Sequence, residues 1–264
     1  MLALHVLPLH LPSWLPHLGV STADHPALYV ADELSSWTRS EVLEYDGLLV
    51  KRPFACRWDT FQGVIDEAEW AVLSIESASA APRQFSLSVD TLLATAALPV
   101  PLAAQIREDA CSLGRIWSRM CPEVKSFDVK LEILGENTCS RWHQDHFVGR
   151  GIVSYTGVVG TEYVRKEHVN FWELEHCGNN DHIIRDATKV ESAAVGDILL
   201  IKGTKFPGVF NALVHKSPSK LYDDAGNILN RLVLKVDAVP TVPTVARPLL
   251  RRVLPVAPAA ACHA

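Results

Sequence analysis

The chain has 264 residues, of which 48% are hydrophobic and 21% are charged, and its formal net charge is −5. This composition is typical of a globular protein with a full hydrophobic core, and the length allows one large domain or one domain with a helical extension. A negative net charge without a basic stripe argues against a nucleic-acid partner. The sequence lacks a run of about 18 apolar residues, the minimum for a transmembrane helix, so we expect no membrane partner.

The sequence has six cysteines, which are not regularly spaced and form no CxxC motif. Disulfide frameworks are found mainly in short, cysteine-dense secreted chains. We therefore expect reduced thiols and a cytoplasmic location, while targeting to an organelle stays open.

Residues 1–58 are predicted to form an N-terminal arm and an irregular segment. Residues 1–20 are apolar, but they contain three prolines and neither Lys nor Arg. A signal peptide needs a positive start and an unbroken apolar stretch, and a transit peptide needs Arg. We interpret this stretch as extended and partly buried, with a targeting segment as the alternative.

Residues 59–122 are predicted to be helical and to pack on the outside of the β-structure that follows them. Two sets of apolar residues recur at steps of three and four, which gives each set a single apolar stripe. The sets are Phe61, Ile65, Ala68, Val72 and Ile75, then Ile106, Ala110, Leu113, Ile116 and Trp117. Pro82, Pro99 and Pro101 separate the helical stretches, because proline ends helices.

Residues 123–238 are predicted to be mainly β-structure. In residues 127–133 apolar and charged side chains alternate strictly, as in a strand with one buried face. Further strands are predicted at 140–147, 151–158, 197–202, 211–216 and 231–236. Several short strands separated by Gly, Pro and Asn turns favour a barrel or sandwich over a parallel sheet.

The tail, residues 239–264, is rich in Pro, Val and Ala and has no stable period. Few of its residues suit a packed element. We predict that it is flexible or loosely docked on the surface.

The segment His143-Gln144-Asp145 is the main candidate for chemistry. On a strand, residues i and i+2 point to the same face, so His143 and Asp145 project side by side. They can occupy adjacent positions on a divalent metal, and His215, in an otherwise apolar strand, supplies a third ligand. Two histidines and one carboxylate form the facial triad of non-haem Fe(II) oxygenases, which leaves positions open for a cosubstrate and dioxygen.

Arg231 is the candidate for binding the cosubstrate. If 2-oxoglutarate is bound, its distal carboxylate needs a cation, and a guanidinium can engage a carboxylate through two parallel hydrogen bonds. Arg231 begins the strand that follows His215, so a hairpin between the two strands would bring these residues together across a ladder. The long polar segment 160–194 is predicted to form a loop over the site and to select the substrate.

Each of these assignments has a plainer alternative. A His-x-Asp pattern also arises by chance, in which case the histidines are structural and the arginine pairs with a surface carboxylate. His146 is predicted to face away from the metal. Glu162 and Tyr163 line the mouth of the site or belong to a solvated loop. Lys202 and Lys205 attract an anionic substrate or are exposed loop lysines.

The three candidate metal ligands and Arg231 together resemble the iron and cosubstrate set of the Fe(II)/2-oxoglutarate-dependent dioxygenase superfamily. Over residues 127–237 the chain resembles more closely the domain-of-unknown-function family 1826. The motifs that carry this resemblance keep their order along the chain: Trp142-His143-Gln144-Asp145, Tyr155-Thr156-Gly157, Gly160-Thr161-Glu162-Tyr163, Gly196-Asp197, Leu200-Ile201-Lys202-Gly203, Pro207-Gly208, Val214-His215-Lys216-Ser217-Pro218 and Arg231-Leu232-Val233-Leu234.

The resemblance implies an α+β fold in which residues 123–238 form a double-stranded β-helix of the jelly-roll or cupin-like type, with helices of the N-terminal half packed outside it. It implies Fe(II) held by His143, Asp145 and His215, and 2-oxoglutarate held by Arg231. The first hypothesis is therefore a dioxygenase that hydroxylates a small molecule or a protein side chain. The alternatives are a non-catalytic zinc- or iron-binding protein and a cupin-like enzyme that needs a metal but no cosubstrate.

Overall fold

The structure is a computed structural model that describes residues 28–38, 44–52, 58–209, 211–240 and 249–253. Within these ranges the fold is mixed α+β, with one large sheet, one small sheet and a few helices. None of the described helices is both long enough and apolar enough to cross a bilayer.

The described residues form eleven strands. In chain order these are β1 (Leu28–Ala31), β2 (Gly47–Val50), β3 (Val72–Ser79), β4 (Ser126–Leu134), β5 (Gly149–Ser154), β6 (Glu162–Val164), β7 (Glu191–Ser192), β8 (Ile198–Lys202), β9 (Val214–Lys216), β10 (Arg231–Ala238) and β11 (Leu249–Val253). The large sheet has the order β1-β2-β8-β5-β10-β4-β3-β11, and the small sheet has the order β7-β6-β9. Apart from the parallel pair β1–β2, the neighbours are antiparallel.

Five α-helices lie among these strands in the described ranges. They are α1 (Gln62–Asp66), α2 (Pro82–Ala96), α3 (Val100–Met120), α4 (Phe171–His176) and α5 (Asn180–Ile183). Helices α2 and α3 each carry a proline in the first turn, where the missing N–H has no intrahelical partner to lose. Ala97 follows helix α2 in a left-handed conformation (φ 51°), and its N–H donates to the carbonyl of Leu93, which closes the last turn.

Helix α3 packs directly on the large sheet, because two glycines of β5 leave room for it. A Cβ atom on Gly149 would lie 2.1 Å from Cη2 of Trp117, and one on Gly151 would lie 2.5 Å from Cδ2 of Leu113. Trp117 and Leu113 are both fully buried. The absent side chains on β5 therefore set how closely the helix approaches the sheet.

Strand β10 shows how the two faces of the large sheet differ. Leu232, Leu234 and Val236 belong to the main core cluster, together with the buried faces of α2 and α3. The intervening positions alternate to the opposite face, where Val233 packs with Tyr163 of the small sheet. This second face lies between the two sheets, and it carries the charged residues of the strand.

The prediction of helix across residues 59–122 is wrong for Val72–Ser79, which forms β3. The apolar residues from Phe61 to Ile75 span a 3₁₀ turn, the short α1 and this strand, so their helical spacing is accidental. Pairing with β4 decides the structure here, because it provides hydrogen-bond partners for the backbone N–H and C=O groups and buries Leu73 and Ile75. The prediction for residues 102–120 is confirmed by α3.

The predictions for both ends of the chain need correction where the structure describes them. Residues 1–58 are not all irregular, since β1 and β2 extend the large sheet and Trp37 is fully buried. In the tail, Leu249–Val253 pairs with β3. Four- and five-residue strands carry too little pattern to be found without their partners. The predicted arm at 1–20 lies outside the described residues.

The strands predicted at 127–133, 151–158, 197–202 and 231–236 correspond to β4, β5, β8 and β10. The one predicted at 211–216 is reduced to β9. The one predicted at 140–147 is wrong as a continuous strand, because this segment makes a single bridge, His143 to His215.

Candidate metal centre

A short antiparallel backbone contact brings the side chains of two histidines close together. The backbone N–H groups of His143 and His215 each donate to the other residue's carbonyl, both at 3.0 Å. The ring centroids lie 4.5 Å apart with an interplanar angle of 51°. Asp145, two residues after His143, brings its carboxylate to within 3.9 Å of both imidazoles.

The candidate ligand atoms of His143, Asp145 and His215 all lie within 4.8 Å of one another. Nε2 of His215 is 3.4 Å from Oδ2 of Asp145, and Nε2 of His143 is 3.9 Å from Oδ1. The side chains of Asp145 and His215 are 4% and 3% exposed, whereas that of His143 is 44% exposed. The cluster is therefore buried on two sides and reaches solvent beside His143.

Backbone contacts set the tautomer of both imidazoles. Nδ1 of His143 lies 2.9 Å from the carbonyl oxygen of Arg141, and Nδ1 of His215 lies 3.0 Å from that of Leu213. A carbonyl oxygen can only accept, so each Nδ1 carries the proton. In the neutral form of each ring the lone pair is therefore on Nε2, the atom that faces Asp145.

These residues fit a divalent metal ion. Nε2 of His215 and Oδ2 of Asp145 are buried and have no hydrogen-bond partner among the described residues. Buried polar atoms normally have hydrogen-bond partners, and a bound ion is one explanation for an exception. Two imidazoles and one carboxylate form a donor set that suits iron with positions left open.

The protonation states also suit metal binding. Burial, followed by repulsion from His215, lowers the pKa of His143 to about 4. Burial alone would raise the pKa of Asp145, but His215 and Arg150 outweigh it, so this pKa lies below its usual range. Near neutral pH the imidazole of His143 is neutral and the carboxylate is ionised.

Sequence reasoning missed Arg150 and Asp237, which adjoin this cluster. Nη1 of Arg150 donates to Oδ1 of Asp145 at 2.7 Å. Its Nε and Nη2 donate to the two oxygens of Asp237 at 2.5 and 2.9 Å. Arg150 and Asp237 are direct partners in the ladder between β5 and β10, so only the strand register could have revealed the contact.

Arg231 is buried, and its Nη2 has no hydrogen-bond partner among the described residues. Burial lowers its pKa to about 10, against a smaller opposing effect of Glu162. The prediction that it meets His215 across a ladder is wrong, because β9 and β10 belong to different sheets. Its aliphatic stem lies over Gly157, where a Cβ atom would be 2.4 Å from Cγ of Arg231.

The remaining candidates lie outside the cluster. His146 is exposed, with Nδ1 3.1 Å from Oγ1 of Thr204. Glu162 forms an ion pair with Lys216. Tyr163 is buried and donates from its hydroxyl to Glu191 at 3.3 Å, so it is not part of a solvated loop.

Segment 160–194 is not a polar loop, because it contains β6, α4, α5 and β7. It forms an apolar cluster with the small sheet; the buried members are Trp142, Val164, Val169, Ile183 and Val214. Asn180 accepts from the backbone N–H of Trp142 at 3.0 Å and donates to the carbonyl of Ser140 at 2.8 Å. The segment therefore holds the stretch that leads into His143.

The fold and the cluster define an α+β protein with a candidate His–Asp–His metal centre. The family model described as "Protein of unknown function (DUF1826)" matches residues 44–237, more than half of the chain. The chain belongs to this family. A search of curated proteins found no match.

Three dioxygenases are among the solved structures that have weak similarity to this chain. A dioxygenase for auxin oxidation from rice is 11% identical, with a TM-score of 0.36, over 69% of this chain and 63% of its own. AtDAO1, the dioxygenase for auxin oxidation 1 from Arabidopsis thaliana, in a 2-oxoglutarate complex, is 9% identical, with a TM-score of 0.39, over 74% and 75%. The Fe(II)/α-ketoglutarate-dependent dioxygenase TqaL is 11% identical, with a TM-score of 0.38, over 82% and 92%. TM-scores below 0.5 do not establish a shared fold, so the function proposed below stands on the residues of this chain.

Proposed function

We infer that this protein is a non-haem Fe(II)- and 2-oxoglutarate-dependent dioxygenase that hydroxylates a small molecule or a protein side chain. The observation that carries the proposal is the convergence of His143, Asp145 and His215, whose candidate ligand atoms lie within 4.8 Å of one another. Two histidines and one carboxylate can hold Fe(II) on one side and leave three positions open.

The strand order supports a double-stranded β-helix for residues 123–238. Strands β8-β5-β10-β4 lie side by side in the large sheet, and β7-β6-β9 form the small sheet, which the bridge at His143 extends by one segment. Along the chain, β4, the His143 segment, β5, β6–β7, β8, β9 and β10 alternate between the two sheets. This alternation is the winding that a double-stranded β-helix requires, and in such a fold the proposed metal ligands would lie between the sheets.

The hydrogen bonding on one face of β10 favours an anionic cosubstrate beside Arg231. Arg231, Lys235 and Asp237 share this face by alternation. Lys235 pairs with Glu132 and Asp237 pairs with Arg150, both at 2.5 Å, whereas Nη2 of Arg231 is buried without a hydrogen-bond partner among the described residues. A carboxylate of a bound dicarboxylate such as 2-oxoglutarate would supply the acceptor that this nitrogen lacks.

In this proposal each residue has a defined task. His143 and His215 would offer their Nε2 atoms to the metal, and Asp145 would offer a carboxylate oxygen. Arg231 offers its unpartnered Nη2 to the distal carboxylate of the cosubstrate. When bound, iron and 2-oxoglutarate supply oxidation by dioxygen coupled to decarboxylation of the cosubstrate to succinate. The burial of Asp145 and His215 keeps water from their side of the site.

An anaerobic titration tests the proposal. Fe(II) is added to the metal-free full-length protein, and 2-oxoglutarate is then added while the visible spectrum is recorded. We expect a charge-transfer band that saturates at one equivalent, followed by succinate formation when oxygen is admitted. The His215→Ala variant should give neither signal. Metal binding without the band or succinate would reject the dioxygenase and favour the non-catalytic metal-binding alternative.

A further inference from the structure

We propose that Arg150 is a positioning residue that fixes the Asp145 carboxylate so that one oxygen, Oδ2, is presented to the metal, and that Asp237 in turn fixes Arg150. The inference rests on the metal site of the proposed function and extends it to two residues outside the candidate ligand set. It does not depend on the identity of the substrate or on the use of 2-oxoglutarate.

The three nitrogens of the Arg150 guanidinium contact Asp237 and Asp145 at the same time. Its Nε and Nη2 form a two-pronged pair with Asp237, and its remaining nitrogen, Nη1, reaches Asp145 at 2.7 Å. The guanidinium also lies over the ring of Phe147, with Cζ 4.8 Å from the ring centroid. A planar group held at one edge by two hydrogen bonds and covered by a ring has little freedom to move the third donor.

The two oxygens of Asp145 therefore have different roles. Oδ1 is occupied by Arg150. Oδ2 is buried without a hydrogen-bond partner in the described residues and faces Nε2 of His215 at 3.4 Å. A carboxylate whose one oxygen accepts a hydrogen bond from an arginine offers the other oxygen as a single ligand atom. Binding through one oxygen keeps positions open at the metal, as the oxygenase triad requires.

A purely structural role does not explain the contact with Asp145. The ladder between β5 and β10 already makes Arg150 and Asp237 direct partners, and their two-pronged pair completes that contact. The third hydrogen bond leaves the sheet and reaches the segment between β4 and β5, where Asp145 lies outside any strand. Asp237 is fully buried, and a buried carboxylate is costly without its cation. The hydrogen-bonded series from Asp237 through Arg150 to Asp145 thus ties the candidate ligand to the paired strands β5 and β10 of the large sheet.

Metal titrations of the metal-free full-length chain test the inference. Zn(II) affinity and the visible spectrum of bound Co(II) are measured for the parent, Arg150→Gln, Arg150→Lys and Asp237→Asn. Loss of an outer partner of a metal ligand typically weakens metal binding by about 10–100-fold, and we expect Arg150→Gln to fall in that range. The Co(II) spectrum should change as well, because Oδ1 becomes free to bind. Asp237→Asn should weaken Zn(II) binding in the same direction.

Arg52→Gln is the matched control. Arg52 also forms a two-pronged pair, partly buried, with Asp109 at 2.7 and 3.0 Å. None of its hydrogen bonds within the described residues involves His143, Asp145 or His215. The Arg52→Gln variant should have a lower melting temperature than the parent, with unchanged Zn(II) affinity and an unchanged Co(II) spectrum. If Arg150→Gln fails to fold, Arg150→Lys, which keeps the charge but loses the planar fork, carries the same expectation. Parent-like Zn(II) affinity in a folded Arg150 variant would overturn the positioning role of Arg150 and leave the proposed metal site intact. A parent that binds neither ion would overturn the metal site itself, and the inference with it.

Discussion

Lys202 on β8 is a buried cation on the helix side of the large sheet. Its Nζ lies 5.6 Å from the ring centroid of Trp37 and 5.1 Å from that of Phe206. Burial lowers its pKa from 10.5 to about 8, although the carboxylate of Asp46 opposes the shift. The lysine is neither an exposed loop residue nor a substrate-steering one, because the β8 register turns it into the core.

We predict that Lys202→Met makes the free energy of unfolding less dependent on pH. Between pH 8 and 10.5, the two pKa values of Lys202, the unfolded chain holds a proton that the folded chain has lost, so the stability of the parent rises with pH. Below pH 8 both states are protonated, and the folded state carries the full cost of burying the charge. The variant should therefore be more stable than the parent at pH 7, with the difference shrinking towards pH 10.5.

Urea unfolding at intervals from pH 7 to 10.5 measures this effect. Lys205→Met is the control, because Lys205 is exposed. The free energy of unfolding of this variant should change with pH in the same way as that of the parent. Equal slopes for Lys202→Met and the parent would contradict the predicted burial of the ammonium group.

Arg231→Ala should separate metal binding from cosubstrate binding. Removing the cation should weaken 2-oxoglutarate binding by about 1.5–3 kcal/mol, the range for hydrogen bonds to charged groups, or roughly ten- to a hundredfold in affinity. Fe(II) binding should stay nearly intact, whereas His215→Ala should lose both. Arg107→Ala removes an exposed arginine paired with Asp90 and serves as the control in the same anaerobic titrations. Parent-like 2-oxoglutarate affinity in Arg231→Ala would remove the assigned role of this residue.

At the scale of elements, the contact between α3 and β5 depends on glycine. The indole of Trp117 occupies the space that a Cβ atom on Gly149 would need. This ring is fixed, since it is fully buried and meets Trp37 edge-on at a centroid distance of 6.0 Å. A tightly packed core cannot take up an added methyl group without moving the backbone or a ring.

Gly149→Ala should therefore destabilise the protein by about 1–3 kcal/mol, the usual cost of overpacking. The matched control is Gly63→Ala in α1, where a Cβ atom would meet nothing within 4 Å; its effect should be neutral or stabilising by up to about 1 kcal/mol, the helix-propensity difference between Gly and Ala. Thermal or urea unfolding of the two variants measures the difference. Equal stabilities would show that α3 does not rest on β5 at this distance.

For the whole molecule, the candidate metal centre lies between the two sheets. His215 lies on β9 of the small sheet, while Asp145 is tied through Arg150 to β5 and β10 of the large sheet. A metal held by both would bind the folded chain but not the unfolded chain, and such binding stabilises by about 2.7 kcal/mol at a free metal concentration of 100 times Kd.

We accordingly predict that Zn(II) or Co(II) raises the melting temperature of the metal-free protein and that a chelator reverses the rise. The Asp145→Asn and His215→Ala variants should show little or no rise, because each lacks one of the three candidate ligands. Calorimetric scans with and without metal make the comparison. A rise of the same size in these variants would assign the stabilisation to another part of the chain.

Local patterns in the sequence determined the parts of this protein that rest on neighbouring residues. Strict alternation in 127–133 predicted β4, and the stripe in 102–120 predicted α3, because a two-residue or near-four-residue period reflects one buried face. The spacing of His143 and Asp145, with a distant histidine in an apolar strand, was enough to select the three side chains that meet. Residue type and spacing encode such donor sets directly.

Only the tertiary structure decided which distant segments pair. The same helical spacing that predicted α3 failed at Val72–Ser79, where pairing with β4 outweighs local preference. The partnership of Arg150 with Asp237 depends on the register between β5 and β10, and the separation of Arg231 from His215 depends on β9 and β10 entering different sheets. A strand's partner and register are set by the burial and hydrogen bonding of both strands together, and this information is not present in either segment alone.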